Sequence, residues 1–255
     1  MFGAENYHVV DGIARENPHT VNGKQVEVVY DDGRHFLRTT REKFDVITSD
    51  PIDPWVKGCA ALNTVEYYQM CRDHLNPGGV VALWIPLYES NLETTKSVIA
   101  TFFQVFPHAI VWSNDRQGTG YDAILFGQVE PTVIDVSALQ GRLDRPDHKL
   151  VKQSLREVGF GEFRTGLPAV PEGIDLLATY AGQAPLLNEW MQGAQINTDR
   201  NLRLQYLAGM WLNSKMGEQI RSSILEHYRF PDQMFVGSPE GIRLLKLSLF
   251  RVGRL

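Results

Sequence analysis

Three observations predict an α/β fold: short β-branched apolar runs recur between helical stretches, turn residues mark most boundaries, and the second half changes to nearly continuous helical spacing. Residues 25–30, QVEVVY, alternate into a β-branched run and read as the first strand. Residues 33–40 follow as a short helix or turn, and Phe44, Val46 and Ile47 carry the character of a buried parallel strand ending at Ser49. Thr64 is placed to cap a helix over 65–75, stopped by Asn76-Pro77-Gly78-Gly79. Residues 79–84 form the next buried strand, 93–106 repeat apolar residues at helical spacing, and 108–112 with 121–126 make a closing pair of strands. This alternation predicts a largely parallel, doubly wound sheet over residues 1–128. Beyond it, residues 136–143, 148–158, 171–180, 184–191 and 214–228 read as helices, and Ser238-Pro239-Glu240 is a helix start. Residues 129–255 are therefore expected to be a mostly helical region.

Composition narrows the partners. A chain of 255 residues can bury a large core with a smaller appendage, and 43% hydrophobic with 22% charged residues is ordinary for a globular protein. A formal net charge of −5 lacks the basic field that phosphate binding needs, so nucleic acid is not expected as a partner. Cys59 and Cys71 are too few for a disulfide framework, which predicts reduced thiols in a cytoplasmic protein. No stretch reaches the ~20 apolar residues that cross a bilayer, and MFGAENYHVVDG has neither the basic start nor the apolar core of a signal peptide. The seven histidines show no ligand or triad spacing, and no metal site is expected.

The segment FDVITSDPIDPW carries the chemistry. Asp50 falls just past the carboxyl end of a buried strand, where open α/β sheets place ligands, and Pro51 and Pro54 stiffen the loop holding Asp50 and Asp53. Two acids held this way can accept a proton or grip an amine. A plain turn is the alternative, since Asp before Pro commonly opens one. Asp31-Asp32-Gly33 ends the preceding strand; a carboxylate there can accept a hydrogen bond from an adenine amino group, and Gly33 gives the chain room to turn. Trp55, Trp84 and Tyr88 can form an aromatic wall or simply belong to the core.

The run VEVVYDDGRHFLRTTREKFDVITSDPIDPW, continuing into ALNTVEYYQMCRDHLNPGGVVALWIPLYES, resembles the spermidine synthase family of polyamine aminopropyltransferases, in particular a bacterial branch often fused to a membrane domain. INTDRNLRLQYLA, residues 196–208, resembles a segment near the end of the same branch. The resemblance implies a Rossmann-like, methyltransferase-type sheet and aminopropyl transfer from decarboxylated S-adenosylmethionine, a co-substrate and not a resident cofactor, to a polyamine such as putrescine. It implies Asp50 as general base, Asp53, Trp84 and Tyr88 on the amine, and Asp32, with Asp31 and Gly33, on the nucleotide. It makes Asn197-Thr198-Asp199 a structural corner near the site.

The chain departs from that family in instructive ways. The family's glycine-rich nucleotide loop and first strands fall upstream of Met1, Leu83 stands where many relatives have a pocket Gln, and Asn63 where Tyr or Phe is common. A gap is therefore expected between the strands ending at Tyr30 and Ser49, closed poorly or by a partner, either a second copy or a complementing N-terminal polypeptide. Two other functions remain open: a catalytically silent paralogue that binds or regulates, and a small-molecule S-adenosylmethionine-dependent methyltransferase.

Overall fold

A five-stranded sheet organises the molecule, in the order β3-β4-β6-β5-β8. The computed structural model describes residues 20–21, 24–25, 29–50, 53–113, 122–161, 168–210 and 215–254. The sheet is built from β3 (Phe44–Ser49), β4 (Leu75–Pro86), β5 (Ile110–Ser113), β6 (Asp122–Gly127) and β8 (Tyr180–Gln183), while β7 (Ile134–Asp135) pairs apart from it with β9 (Phe235–Val236). β3 and β4 pair in parallel, whereas β6 runs against both β4 and β5, and β8 against β5. The arrangement is thus an α/β sheet of mixed pairing, and the expected parallel character is confined to the β3–β4 pair.

Side chains alternate between the two faces along the strands, and helices pack against each face, one more completely than the other. Val81, Leu83, Ile85, Val111, Ala123 and Leu125 face one core, which is closed by α2 (Val65–Asp73), α3 (Leu92–Val105), α8 (Arg203–Gly209) and α9 (Gly217–Leu225). Ile110 and Tyr180, with Trp112 and Phe126, face a second core supplied by α4 (Val136–Leu143), α6 (Glu172–Leu177) and α10 (Pro239–Arg251). Both layers draw on helices beyond residue 128, and β8 comes from there too.

Several predicted boundaries shift for identifiable reasons. Residues 26–28 of the expected first strand lie outside the described residues. Lys24–Gln25 (β2) pairs locally with Thr20–Val21 (β1), while Val29 and Tyr30, 50% and 65% exposed, belong to no strand. β3 is accordingly an edge of the sheet among the described residues, and its Val46 is 57% exposed. The Asn76-Pro77-Gly78-Gly79 helix stop lies inside β4: Phe44 pairs with Leu75 and Val46 with Val80, so residues 76–79 stand opposite Asp45 alone and bulge out. Gly79 makes that bulge possible, because a Cβ there would sit 2.9 Å from the Phe44 carbonyl oxygen. The helix expected over 171–180 ends at Leu177, and Tyr180 enters β8. The remaining helices, α1 (Gly33–Thr39), α5 (Lys149–Glu157) and α7 (Ala184–Leu187), fall within one or a few residues of expectation. No described helix is long and apolar enough to cross a membrane.

Candidate functional site

Two parallel strands, β3 and β4, end side by side, and the carboxylates following them define the candidate site. Asp50 is exposed immediately after Ser49. Asp53 is half-buried, and its carbonyl accepts the Val56 N–H at 3.0 Å, closing the turn. Its Oδ1 is buried and has no hydrogen-bond partner among the described residues. Desolvation raises the Asp53 pKa above the ordinary carboxylate value, and the negative charges of Glu89 and Asp50 raise it further. Glu89 stands three residues past the end of the other strand at Pro86, with φ of 48°. A backbone hydrogen bond from its own N–H lowers the Asp53 pKa without cancelling the rise, and a carboxyl with one buried oxygen unpaired and pressed by like charge favours a neutralising proton or a cation.

Beyond the acid loop, Gly58 takes φ of 92° and starts a 3₁₀ turn, Cys59–Asn63. Asn63 is 3% exposed and accepts the Tyr68 hydroxyl at 2.9 Å, so the position serves packing. The Trp84 indole N–H donates to Asp122 Oδ2 at 2.9 Å, and its ring lies 6.1 Å from that of Tyr88. Trp84, Pro54 and Asn63 line one cavity of about 20 Å³, which joins the acid loop to β4. Leu83, by contrast, is 1% exposed and points into the core.

The second acidic cluster is differently occupied. Asp32 caps α1, its Oδ1 accepting the His35 N–H at 2.9 Å. Asp31 accepts the Asp32 N–H at 2.8 Å and lies 2.6 Å from His35 Nδ1. The bond to His35 is the main reason the Asp31 pKa falls below its ordinary value. Gly33 has no left-handed φ and open space around its Cβ position, so the turn does not require glycine there.

The corner at 197–199 reaches all of these segments. Asn197 is fully buried; its Nδ2 donates to the carbonyls of Ala60 at 2.8 Å and Asn63 at 2.9 Å, and its Oδ1 accepts the Leu204 N–H at 3.1 Å. Its carbonyl takes the Val65 N–H at 3.1 Å. The 3₁₀ turn after the acid loop is thereby fixed from the C-terminal half.

The family model described as the spermine/spermidine synthase domain matches residues 11–113, the stretch that contains both acidic clusters and β3, β4 and β5. Over residues 11–113 the chain is thus similar to the spermine/spermidine synthase family. Among curated relatives, polyamine aminopropyltransferase 1 of Pseudomonas aeruginosa is 46% identical over 57 residues, 22% of this chain and 20% of that protein. The polyamine aminopropyltransferase of Erwinia tasmaniensis is 40% identical over 68 residues, 27% of this chain and 24% of that one. The matches thus span about a fifth to a quarter of those relatives' length. A probable spermidine synthase from Corynebacterium glutamicum aligns in structure with TM-score 0.45 and 21% identity, over 74% of this chain and 60% of that one.

Sequence reading singled out Asp50, Asp53, Trp84 and Tyr88, which lie at or near the ends of β3 and β4, but missed three contributors. Glu89 was discoverable, since it directly follows Tyr88 after a strand whose end faces the same edge. Asp122 and Arg34 carried no local signal, because their partners Trp84 and Asp199 lie 38 and 165 residues away. No group of three or more potential metal ligands occurs among the described residues.

Proposed function

We propose that this chain takes part in aminopropyl transfer, with decarboxylated S-adenosylmethionine as co-substrate and a polyamine such as putrescine as acceptor. The observation carrying this reading is the Asp53 carboxyl, with one buried oxygen unpaired and its pKa raised by desolvation and by Glu89 and Asp50, at the ends of β3 and β4. A diammonium ligand supplies the positive charge that such a cluster lacks.

In the proposed reaction Asp50 accepts a proton from the attacking ammonium, which frees its lone pair. The amine nitrogen then forms a bond to the aminopropyl carbon next to the sulfonium. The C–S bond breaks with its electron pair retained by sulfur, releasing neutral methylthioadenosine. Asp53 holds the amine in line, Trp84 and Tyr88 flank its methylenes, and Asp32, supported by Asp31 and Gly33, takes the adenine amino group on the carboxylate oxygen that does not cap α1. The edge of β3 is the proposed place for a second copy or a complementing polypeptide to add backbone hydrogen bonds.

Leu83 favours a second reading. Its full burial removes a polar side chain that many relatives place in the pocket, which suits a silent paralogue that binds polyamine without turning it over. Incubating the chain with decarboxylated S-adenosylmethionine and putrescine separates the two: spermidine and methylthioadenosine appear if it is a transferase. Putrescine binding without product supports the silent paralogue, and absence of both ends both readings.

A further inference from the structure

We infer that the Arg34–Asp199 ion pair is a positioning clasp, through which the C-terminal region sets the helix bearing Asp31 and Asp32 against the segment that follows the acid loop. α1 has seven residues and buries only Leu37 among them. A helix that short has little stability of its own, so its placement depends on what its side chains grip. Arg34, its second residue, supplies the grip. Nη1 donates to the Ala61 carbonyl at 2.6 Å and approaches Thr64 Oγ1 at 3.4 Å, while Nη2 donates to the Asp199 carboxylate. One planar guanidinium therefore registers α1 on the 3₁₀ turn behind Asp53 and on the C-terminal corner together, which a lysine ammonium cannot do in the same geometry.

Asp199 is itself held. Its N–H donates to Glu66 Oε2 at 2.9 Å, and the adjoining Asn197 is fully buried against Ala60 and Asn63. Burial raises the Asp199 pKa, but hydrogen bonds from Arg34 and Thr64 outweigh it and leave the carboxyl below its ordinary value, charged and paired. The clasp spans 165 residues of sequence and is a positioning element, acting on the site through the helix that carries Asp32 at its cap.

The clasp stands on geometry alone; its effect on nucleotide affinity rests on the proposed role of Asp32. Amide hydrogen exchange on the full chain tests the first part. In Asp199→Asn the amides of α1 and Thr40 are expected to exchange about tenfold faster, the scale of one charge-assisted bond, while those of α3 keep their protection. Unchanged exchange in α1, or acceleration spread evenly over the chain, overturns the clasp. Arg34→Lys, which retains the charge and loses the fork, gives the same reading should Asp199→Asn not fold. Titration with methylthioadenosine and with putrescine tests the second part: Asp199→Asn should weaken the nucleoside about tenfold and leave the amine unchanged. Equal weakening of both ligands contradicts positioning of Asp32. If the unsubstituted chain binds no methylthioadenosine, the nucleotide reading of Asp32 fails while the exchange result still decides the clasp.

Discussion

Asp31-Asp32 and Asp50/Asp53 are both acidic pairs near strand or helix ends, yet the structure treats them in opposite ways. The first pair is provided for: Asp32 caps a helix, Asp31 takes a backbone N–H and the His35 ring, and the Asp31 pKa is lowered. The second is left wanting, with a buried Asp53 oxygen that has no partner among the described residues and a pKa raised by desolvation and by Glu89. A carboxylate whose protein already supplies partners serves the fold with those lone pairs and has only the remaining ones for a ligand. One that its protein denies a partner is available to a ligand, and the contrast is a stronger functional signal than the presence of two acids in sequence.

Substitutions can break that contrast, beginning with the largest effect. Asp50→Asn should slow spermidine formation by roughly 10²- to 10⁴-fold, the range for a positioned general base, with the unfolding midpoint unmoved. A rate close to that of the unsubstituted chain removes Asp50 from the chemistry. Asn197→Ala leaves the Ala60 and Asn63 carbonyls and the Leu204 N–H buried without that side chain, and should destabilise the fold by about 3 kcal/mol in denaturant titration. A loss well under 1 kcal/mol would mean the corner does not fix the acid loop. Asp32→Ala should cost about 1 kcal/mol through the lost cap, whereas Asp32→Asn keeps the cap and should be near neutral. The Asn variant should also lose methylthioadenosine binding; retained binding would take Asp32 out of the proposed nucleotide site and leave the first pair to the fold alone.

The smallest effect is a matter of sign. The folded-state pKa of Asp53 lies above its unfolded value, so the folded chain binds more protons between the two, and stability falls as pH rises through that interval. The penalty is fully present above the folded pKa and absent below the unfolded one. Asp53→Asn should therefore raise the melting temperature slightly at pH 7, and the gain should vanish once the pH drops below the ordinary carboxylate range. A destabilised Asn variant at neutral pH would show that the Asp53 charge is satisfied.

Much of the fold was legible because it rests on local patterns. Thr64 caps α2 where a hydroxyl precedes helical spacing, and α4 and α10 start where Asp135 and Ser238-Pro239 place them. β8 was not legible: four residues, Tyr180-Ala181-Gly182-Gln183, follow a helix after only the turn at Ala178-Thr179, with no Pro or Gly at the boundary, and become a strand because β5 offers an edge. The bulge at Asn76–Gly79 was half legible, its turn residues evident but its place inside a strand set by register with β3. In the site, Asp50 and Asp53 announce themselves by their position after an apolar run. Arg34 gives no such sign, because its importance arises from groups that folding brings to it from Ala61 and Asp199.

A carboxyl carbon NMR titration with and without putrescine tests the central contrast most directly. Putrescine should lower the Asp53 pKa, as an ammonium neutralises the field of Glu89 and Asp50, and leave Asp31 unmoved. An unshifted Asp53, or a shift confined to Asp31 and Asp32, would contradict it.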